Sequence, residues 1–386
     1  MNLRVLTSIL LAAPWFLTGT AAPAPAQAED PAVRELLENV GIKPEGLRRG
    51  QMDVVGFVTT AAQMDSVRAQ SEALASSRRE ALRNLRGWTD GAPLLAAVCP
   101  HDDYYYAGRL YALVAPLVSA KAVVIFGVFH KARVFGIRDQ LVFDSYRTWR
   151  GPYGPVKVSP IREALIERLP QGDVVVDNDA QMAEHSVEAI VPWLQAYNRD
   201  VEIVSILVPY MDWSTMDRLA SELAGALTAV MRENGWSLGR DVAFIASTDA
   251  THYGDAGWGG SNYADFGTDS EGHRKVVRRD IDLAENHLCG QVERTRLEEF
   301  LYKCVDRDDV TKYKITWCGR FSVPFGLDVA SRVCETLESR TLEGTLLDYG
   351  TSVSEASLDL ENLKGLGTTA PNNFHHFVGY AAIGYR

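Results

Sequence analysis

The sequence has few cysteines and lacks the spacings that would make them a structural zinc site. No two of its five cysteines form a CxxC motif, which argues against a zinc ribbon. HExxH and HxxxH spacings are also absent, so zincin-type protease chemistry is not indicated. An odd number of cysteines leaves at least one thiol unpaired. Cys289 and Cys304 are close in the chain and are the candidates for a disulfide, a question that the sequence leaves open.

The chain has fewer basic than acidic residues. The chain carries 39 Lys and Arg against 50 Asp and Glu, for a net charge of -11. A protein that binds nucleic acid or an anionic membrane surface usually presents a basic face. We therefore expect neither nucleic acid nor an anionic membrane surface as a partner. A small-molecule substrate remains compatible with this composition, and the oligomeric state is left open.

Long apolar runs are missing after the N-terminus, so no membrane partner is expected there. Residues 5–17 are apolar and follow Arg4, and Ala26-Gln27-Ala28 stands before two acidic residues. This arrangement predicts a cleavable export signal at residues 1–28, cut after Ala28. The apolar stretch is shorter than the roughly 20 residues that a spanning helix needs. We therefore expect a periplasmic or secreted protein.

The remainder of the chain divides into two parts. Residues 29–91 are predicted to form a helical N-terminal extension, with helices near 33–40 and 61–85 and a short strand at 54–58. Residues 92–386 alternate apolar, strand-like runs with helical segments. This alternation predicts one α/β domain, in which helices cover both faces of a central mixed, largely parallel sheet.

Polar residues with metal-binding or acid–base chemistry follow several of the apolar runs. They are His101, His130, Asp249 with His252, and Cys318. Ligands collect at the carboxyl ends of parallel strands, so these distant residues are predicted to converge on one metal or acid–base centre. Imidazole and thiolate are good ligands for Zn, Cu and Fe. Taken one at a time, each residue also fits a structural histidine, a self-capping turn or an inert thiol.

A fifth segment, Glu184-His185-Ser186-Val187-Glu188, is predicted to lie inside a helix that runs from Asp179 to about Tyr197. Helical spacing would place Glu184, His185 and Glu188 on one side. They would then form either part of the pocket wall or an ordinary polar helix face.

Six segments, in order along residues 94–385, resemble segments of the Memo family, also called AmmeMemoRadiSam system protein B, which is related to class III extradiol dioxygenases. They are PHDDYYYAG at 100–108, FGVFH at 126–130, EHSVEAIVPWL at 184–194, STDATHYG at 247–254, CGR at 318–320 and FVGYAA at 377–382. The resemblance implies an extradiol-dioxygenase-like fold for residues 92–386. The export signal and the N-terminal extension lie outside it.

The resemblance also implies a site. His101, His130 and Cys318 would be its metal ligands, with Fe(II) the preferred metal and Cu or Zn the alternatives. Asp249 and His252 would line the site, with His252 as the acid–base residue. His185 and Glu188 would complete the catalytic pocket.

The implied activity is a metal-dependent dioxygenase or oxidoreductase that acts on a small aromatic or phenolic substrate. Two alternatives stay open: a copper- or iron-binding protein without turnover, and a hydrolase with Cys318 as nucleophile, His252 as base and Asp249 as its orienting residue. The chain departs from the family at Asp102 and Asp103, where the family has Ala-Gly.

Overall fold

The computed structural model describes residues 47–85, 92–256, 261–354, 357–359, 363 and 365–386. The predicted export signal and the predicted helix near 33–40 lie outside these residues. No helix in the described ranges is both long enough and apolar enough to cross a membrane.

The strands, in chain order, are β1 (Arg48–Arg49), β2 (Ala96–Cys99), β3 (Ala122–Val128), β4 (Leu141–Phe143), β5 (Thr148–Trp149), β6 (Val156–Val158), β7 (Val174–Val176), β8 (Glu202–Val208), β9 (Val242–Ser247), β10 (His252–Gly254), β11 (Gly290–Gln291), β12 (Glu343–Thr351), β13 (Asn372–Asn373) and β14 (His376–Tyr385). The α-helices are α1 (Ala61–Arg83), α2 (Tyr104–Val114), α3 (Ile161–Arg168), α4 (Asn178–Met182), α5 (Val191–Tyr197), α6 (Trp213–Asn234), α7 (Ser270–Leu283), α8 (Arg294–Cys304) and α9 (Ser322–Glu338).

The sheet is mixed and largely parallel, as predicted. Its order is β1-β5-β6-β8-β3-β9-β2-β14-β12-β11. The five central strands from β6 to β2 are parallel, and β14 joins β2 and β12 in antiparallel pairing. The carboxyl ends of β2, β3 and β9 therefore lie side by side at one edge, because neighbouring parallel strands run in the same direction.

Alternate side chains of the central strands enter two different apolar cores. In β3, Val123 and Ile125 belong to the core that includes α1, α2 and α5. Val124 and Phe126 belong to the opposite core, with α6, α8 and α9. This alternation follows from the period-two geometry of a strand and explains why each run is apolar throughout. Helices thus cover both faces of the sheet.

The helix near 61–85 is confirmed as α1, which packs against α2 and α5. It begins with a capping box, in which the Thr60 hydroxyl accepts from the Gln63 N–H and the Gln63 side chain accepts from the Thr60 N–H. The strand predicted at 54–58 is wrong. The Asp53 carboxylate accepts hydrogen bonds from the N–H groups of Val55 and Gly56, and this local turn replaces a sheet ladder.

The run that precedes Cys318 is also not a strand. It makes isolated bridges, of which Thr251 with Trp317 is one. All five cysteines are free thiols, including Cys289 and Cys304.

Candidate metal centre

The structure brings His101, His130 and Cys318 together at the carboxyl edge of the sheet. The thiol Sγ of Cys318 lies 3.0 Å from His130 Nε2 and 3.4 Å from His101 Nε2. His101 follows β2 and His130 follows β3, while Cys318 comes from the turn before α9. His101 is fully buried, and the His130 side chain is 28% exposed. His101 is therefore deep in the protein, whereas part of the His130 ring is accessible to solvent.

Ser247 fixes the tautomer of His101. The Ser247 hydroxyl donates its only proton to the carbonyl of Ser186 at 2.6 Å. It therefore accepts from His101 Nδ1, 2.8 Å away, so Nδ1 carries a proton. In the neutral imidazole, the lone pair is then on Nε2, the atom that faces Cys318.

Glu184 fixes the tautomer of His130. Its carboxylate accepts hydrogen bonds from His130 Nδ1 at 2.9 Å and from the His130 backbone N–H at 2.8 Å. It also accepts from the N–H groups of His185 and Ser186. A carboxylate that binds the far nitrogen of an imidazole orients the ring and raises its basicity as a ligand.

The turn that carries Cys318 is anchored to the end of β9. The Thr248 hydroxyl accepts from Trp317 Nε1 at 3.1 Å and from the Gly319 N–H at 2.7 Å, and the Cys318 N–H donates to the Ala250 carbonyl. A Cβ on residue 319 would lie 2.3 Å from Thr248 atoms. Glycine is therefore required where the two segments approach.

His185 lies beside the two predicted histidine ligands. Its ring is stacked on that of His130, with ring centroids 4.8 Å apart, and lies edge-on to His101. The nitrogens of His101, His130 and His185 fall within 4.8 Å of one another, as do the ligand atoms of His101, Asp249 and Cys318. More than three ligand-capable groups thus surround the thiol.

Asp249 and His252 lie beside His101. Asp249 Oδ1 accepts from the His101 N–H at 3.0 Å, and Oδ2 lies 3.4 Å from His101 Nε2. His252 Nε2 lies 3.7 Å from the same Oδ2. Burial lowers the pKa of His252, but interactions with Asp249 and Cys318 outweigh it and raise the pKa to about 10.

The charges in this cluster stabilise one another. Burial would raise the pKa of the Cys318 thiol, but the imidazolium charges of His130 and His101 hold it well below its usual range. Burial would lower the pKa of His130, whereas Glu184 and Cys318 raise it well above its usual value. For His185, burial and the charge of His130 lower the pKa to about 4.

The predicted helix through Glu184 and Glu188 is wrong. The segment folds as α4, a turn at 183–190, and α5. Because the Glu184 carboxylate takes up N–H groups within the turn, these groups are not available for helical bonds. Pro192 then stands in the first turn of α5, where a proline is tolerated.

The structure does not place the Glu188 carboxylate with the histidines. It binds Arg49 at 2.5 Å and accepts from the N–H groups of Met52 and Asp53. Glu188 thus attaches the N-terminal segment to the turn that carries His185.

The two departures from the family motif have different partners. Asp103 accepts three hydrogen bonds from Thr369 and Ala370, which ties the start of α2 to the segment before β13. Asp102 accepts from the Tyr380 hydroxyl at 2.8 Å. Burial, with the nearby charges of Asp249 and Asp103, raises its pKa to about 8.

Sequence reasoning missed four residues that shape the site: Glu184 as the partner of His130, Ser247, Thr248 and Arg49. Glu184 and Ser247 had a usable signal, since each stands in a segment that also carries a predicted site residue. Arg49 had none, because its partners Gln181 and Glu188 are more than a hundred residues away in sequence.

A family model described as Memo-like protein matches residues 70–362, more than half of the chain. The chain belongs to the Memo family. A MEMO1 family protein of Methanosarcina barkeri is 36% identical over 162 residues, covering 42% of this chain and 55% of that protein. One from Pyrobaculum arsenaticum is 34% identical over 167 residues, with the same coverage. The chain thus spans about half the length of these relatives. A third, from Aquifex aeolicus, is 25% identical over 259 residues, covering 67% of this chain and 78% of that protein.

The donor set of this Memo family member fits a transition metal. Two imidazoles whose Nδ1 protons are held elsewhere turn their Nε2 atoms towards one thiol. When both rings are neutral, a thiol with its single proton can satisfy only one of these two lone pairs, whereas a cation satisfies both and binds the thiolate. Nitrogen and sulfur ligands favour Fe, Cu or Zn over Mg or Ca.

Proposed function

We propose that this Memo family protein is an exported, non-haem metal protein in which His101, His130 and Cys318 hold the ion. Fe(II) is the preferred metal, with Cu or Zn as alternatives. Its proposed activity is a dioxygenase-type oxidation of a small aromatic or phenolic substrate. The proposed location rests on residues 1–28, whose pattern is that of a cleavable export signal.

One observation carries the proposal: two imidazole Nε2 atoms face the same thiol, and each ring is held by a partner at Nδ1. These partners are Ser247 and Glu184, both essentially buried. Metal-bound histidines characteristically have such a partner on the second nitrogen. The hydrogen bonds at Nδ1 therefore hold both rings in position.

The surrounding residues have separable roles in this proposal. The bound metal would supply open coordination positions for substrate and O₂. His252, beside Asp249, would move a proton to or from the substrate. His185, stacked on His130, forms one wall of the pocket. No role at the reacting atoms is proposed for Glu188, because its carboxylate binds Arg49, Met52 and Asp53.

Elemental analysis of protein recovered from the exported fraction tests the metal site. We expect near-stoichiometric metal in the wild type and its loss in both His101→Ala and Cys318→Ser. His375→Ala and Cys289→Ser are matched controls, because His375 is exposed and binds Asp255, while Cys289 is a free thiol on another part of the chain. Metal retained in both site variants, or absent from reconstituted wild type, would contradict the proposal.

Oxygen uptake separates turnover from storage. Iron-loaded protein is mixed anaerobically with a panel of catechols, and O₂ consumption is followed on admission of air. Uptake that disappears in His252→Ala, with metal content unchanged, supports the oxidoreductase. Tight metal binding without uptake would indicate a copper- or iron-binding protein instead.

A hydrolase with Cys318 as nucleophile is the second candidate, favoured by the low pKa of this thiol. Protons on the two imidazole Nε2 atoms can take the place of a metal ion. The cluster is then a thiolate beside two imidazolium ions. Metal-free protein treated with iodoacetamide at neutral pH separates the two. Rapid labelling of Cys318 and ester hydrolysis by apoprotein would favour the hydrolase, whereas reactivity without hydrolysis would leave only the metal proposal.

A further inference from the structure

We propose that Arg49 is a positioning residue of the metal centre: it clamps the turn at 183–190, whose Glu184 orients His130. This inference rests on the proposed metal function. The match to the family model begins at residue 70, so Arg49 lies before the matched residues. The inference therefore gives this preceding segment a role at the site.

The contacts of Arg49 converge on that turn. Its Nε donates to the Gln181 carbonyl at 3.0 Å, and one terminal nitrogen donates to the Glu184 carbonyl. The other donates to Glu188 Oε2 at 2.5 Å and to the carbonyl of Gly50. A guanidinium supplies several N–H donors in a fixed fork, so one side chain binds the end of α4 and two points of the turn, Glu184 and Glu188.

The environment of Arg49 leaves it little freedom. Its side chain is 0% exposed, and its guanidinium carbon lies 4.1 Å from the centroid of the Trp149 ring. Glu188, which balances its charge, is 4% exposed. A buried charge pair with this many hydrogen bonds has one well-defined geometry.

The connection to the metal ligand is short. Arg49 holds the backbone carbonyl of Glu184, and the side chain of the same residue binds His130 at both its backbone N–H and Nδ1. Displacement of this backbone would displace the carboxylate that sets the orientation of the ring. Arg49 itself need not touch the metal.

The same N-terminal segment also reaches the other histidine. The Gly56 carbonyl accepts from the N–H of Tyr104, three residues after His101. Met52 and Asp53 bind Glu188 through their N–H groups. Residues 49–56 therefore connect the segment that carries His101 to the turn whose Glu184 binds His130.

The test uses full-length protein with Co(II) as the probe metal. We expect Arg49→Met to weaken Co(II) binding by about 10- to 100-fold, the range seen when partners of metal-bound histidines are removed. The thiolate-to-cobalt absorption band should also change. Arg49→Lys keeps the positive charge near Glu188 but loses the forked set of N–H donors. Relative to Arg49→Met, it should therefore recover more of the stability than of the metal affinity.

Two further variants separate positioning from general destabilisation. Arg332→Met removes another largely buried guanidinium that binds buried Asp328, and it should lower stability without altering the cobalt spectrum. If Arg49→Met does not fold, the double variant Arg49→Met/Glu188→Leu replaces the whole pair by apolar side chains. An unchanged cobalt affinity and spectrum in a folded Arg49 variant would overturn the inference.

A metal-free measurement keeps this inference distinct from the proposed function. The proton on His130 Nδ1, held by Glu184, should appear in the NMR spectrum of wild-type apoprotein as a protected, downfield signal. It should be lost or broadened in Arg49→Met. If the wild type binds no metal, the proposed function fails, while this signal still reports whether Arg49 positions His130. The same signal in both proteins would count against the clamp.

Discussion

The Glu184 carboxylate holds His130 at two points, the backbone N–H at 2.8 Å and the ring Nδ1 at 2.9 Å. The relationship joins the turn at 183–190 to the end of β3, and neither is near the other in sequence. It also explains why burial does not keep Glu184 protonated. Burial would raise its pKa, but His130 and the surrounding N–H donors lower it far below the usual range.

Glu184→Gln should weaken metal binding by about 10- to 100-fold, as observed when carboxylate partners of metal-bound histidines are removed. The amide has only one oxygen, whereas both carboxylate oxygens of Glu184 accept hydrogen bonds. The NH2 group of the glutamine would therefore face a donor of the protein. We expect a loss of stability of about 1–3 kcal/mol as well. Chelator competition gives the affinity, and Glu163→Gln, at an exposed position of α3, is the control. An affinity equal to that of the wild type would refute this role.

Ser247→Ala should reduce metal affinity by about tenfold, the lower end of the range for such partners. Without the hydroxyl, His101 Nδ1 has lost its acceptor, and the ring is free to protonate at Nε2 instead. Ser331→Ala removes another buried hydroxyl, which binds Glu335, and should leave affinity unchanged. Titration of both apoproteins with Co(II) makes the comparison, and equal affinities would count against tautomer control.

Gly319→Ala should destabilise the protein by about 1–3 kcal/mol, the usual range for an overpacked site. The new methyl group would lie 2.3 Å from Thr248 and force the Cys318 turn outwards. Gly225→Ala is the matched control in α6, where nothing lies within 4 Å of the new Cβ. It should gain up to about 1 kcal/mol from helix propensity. Urea denaturation measures both, and similar shifts would refute the close-approach argument.

Removal of metal should lower the melting temperature of the wild type. A ligand present at 100 times its dissociation constant adds about 2.7 kcal/mol to the stability of the state that binds it. Scanning calorimetry with and without chelator measures this difference. Cys289→Ser should behave as the wild type, whereas Cys318→Ser should show no chelator effect. An equal shift in Cys318→Ser would mean that the metal binds elsewhere.

The sheet and the meeting of its strand ends were predictable from sequence, because a strand buried on both faces is apolar throughout. The apolar runs before His101, His130 and Asp249 are β2, β3 and β9, and each strand ends two residues before that polar side chain. That placed His101, His130 and Asp249 at one edge without knowledge of strand order.

The turn at 183–190 was not predictable by periodicity. Its sequence contains no glycine or proline before Pro192, and its apolar residues fit a helical stripe. What breaks the helix is the Glu184 carboxylate, which takes up the N–H groups of His185 and Ser186 and is itself held by His130, 54 residues away. For the same reason, Glu188 was assigned to the pocket, while its partner Arg49 lies 139 residues away.

Strand β14 lies between β2 and β12 and pairs with both. Without residues 376–385, β2 and β12 would each present a row of unpaired backbone N–H and C=O groups inside the sheet rather than at its rim. Because β2 and β14 are far apart in sequence, this pairing closes a long loop, and contacts of this kind make folding slow.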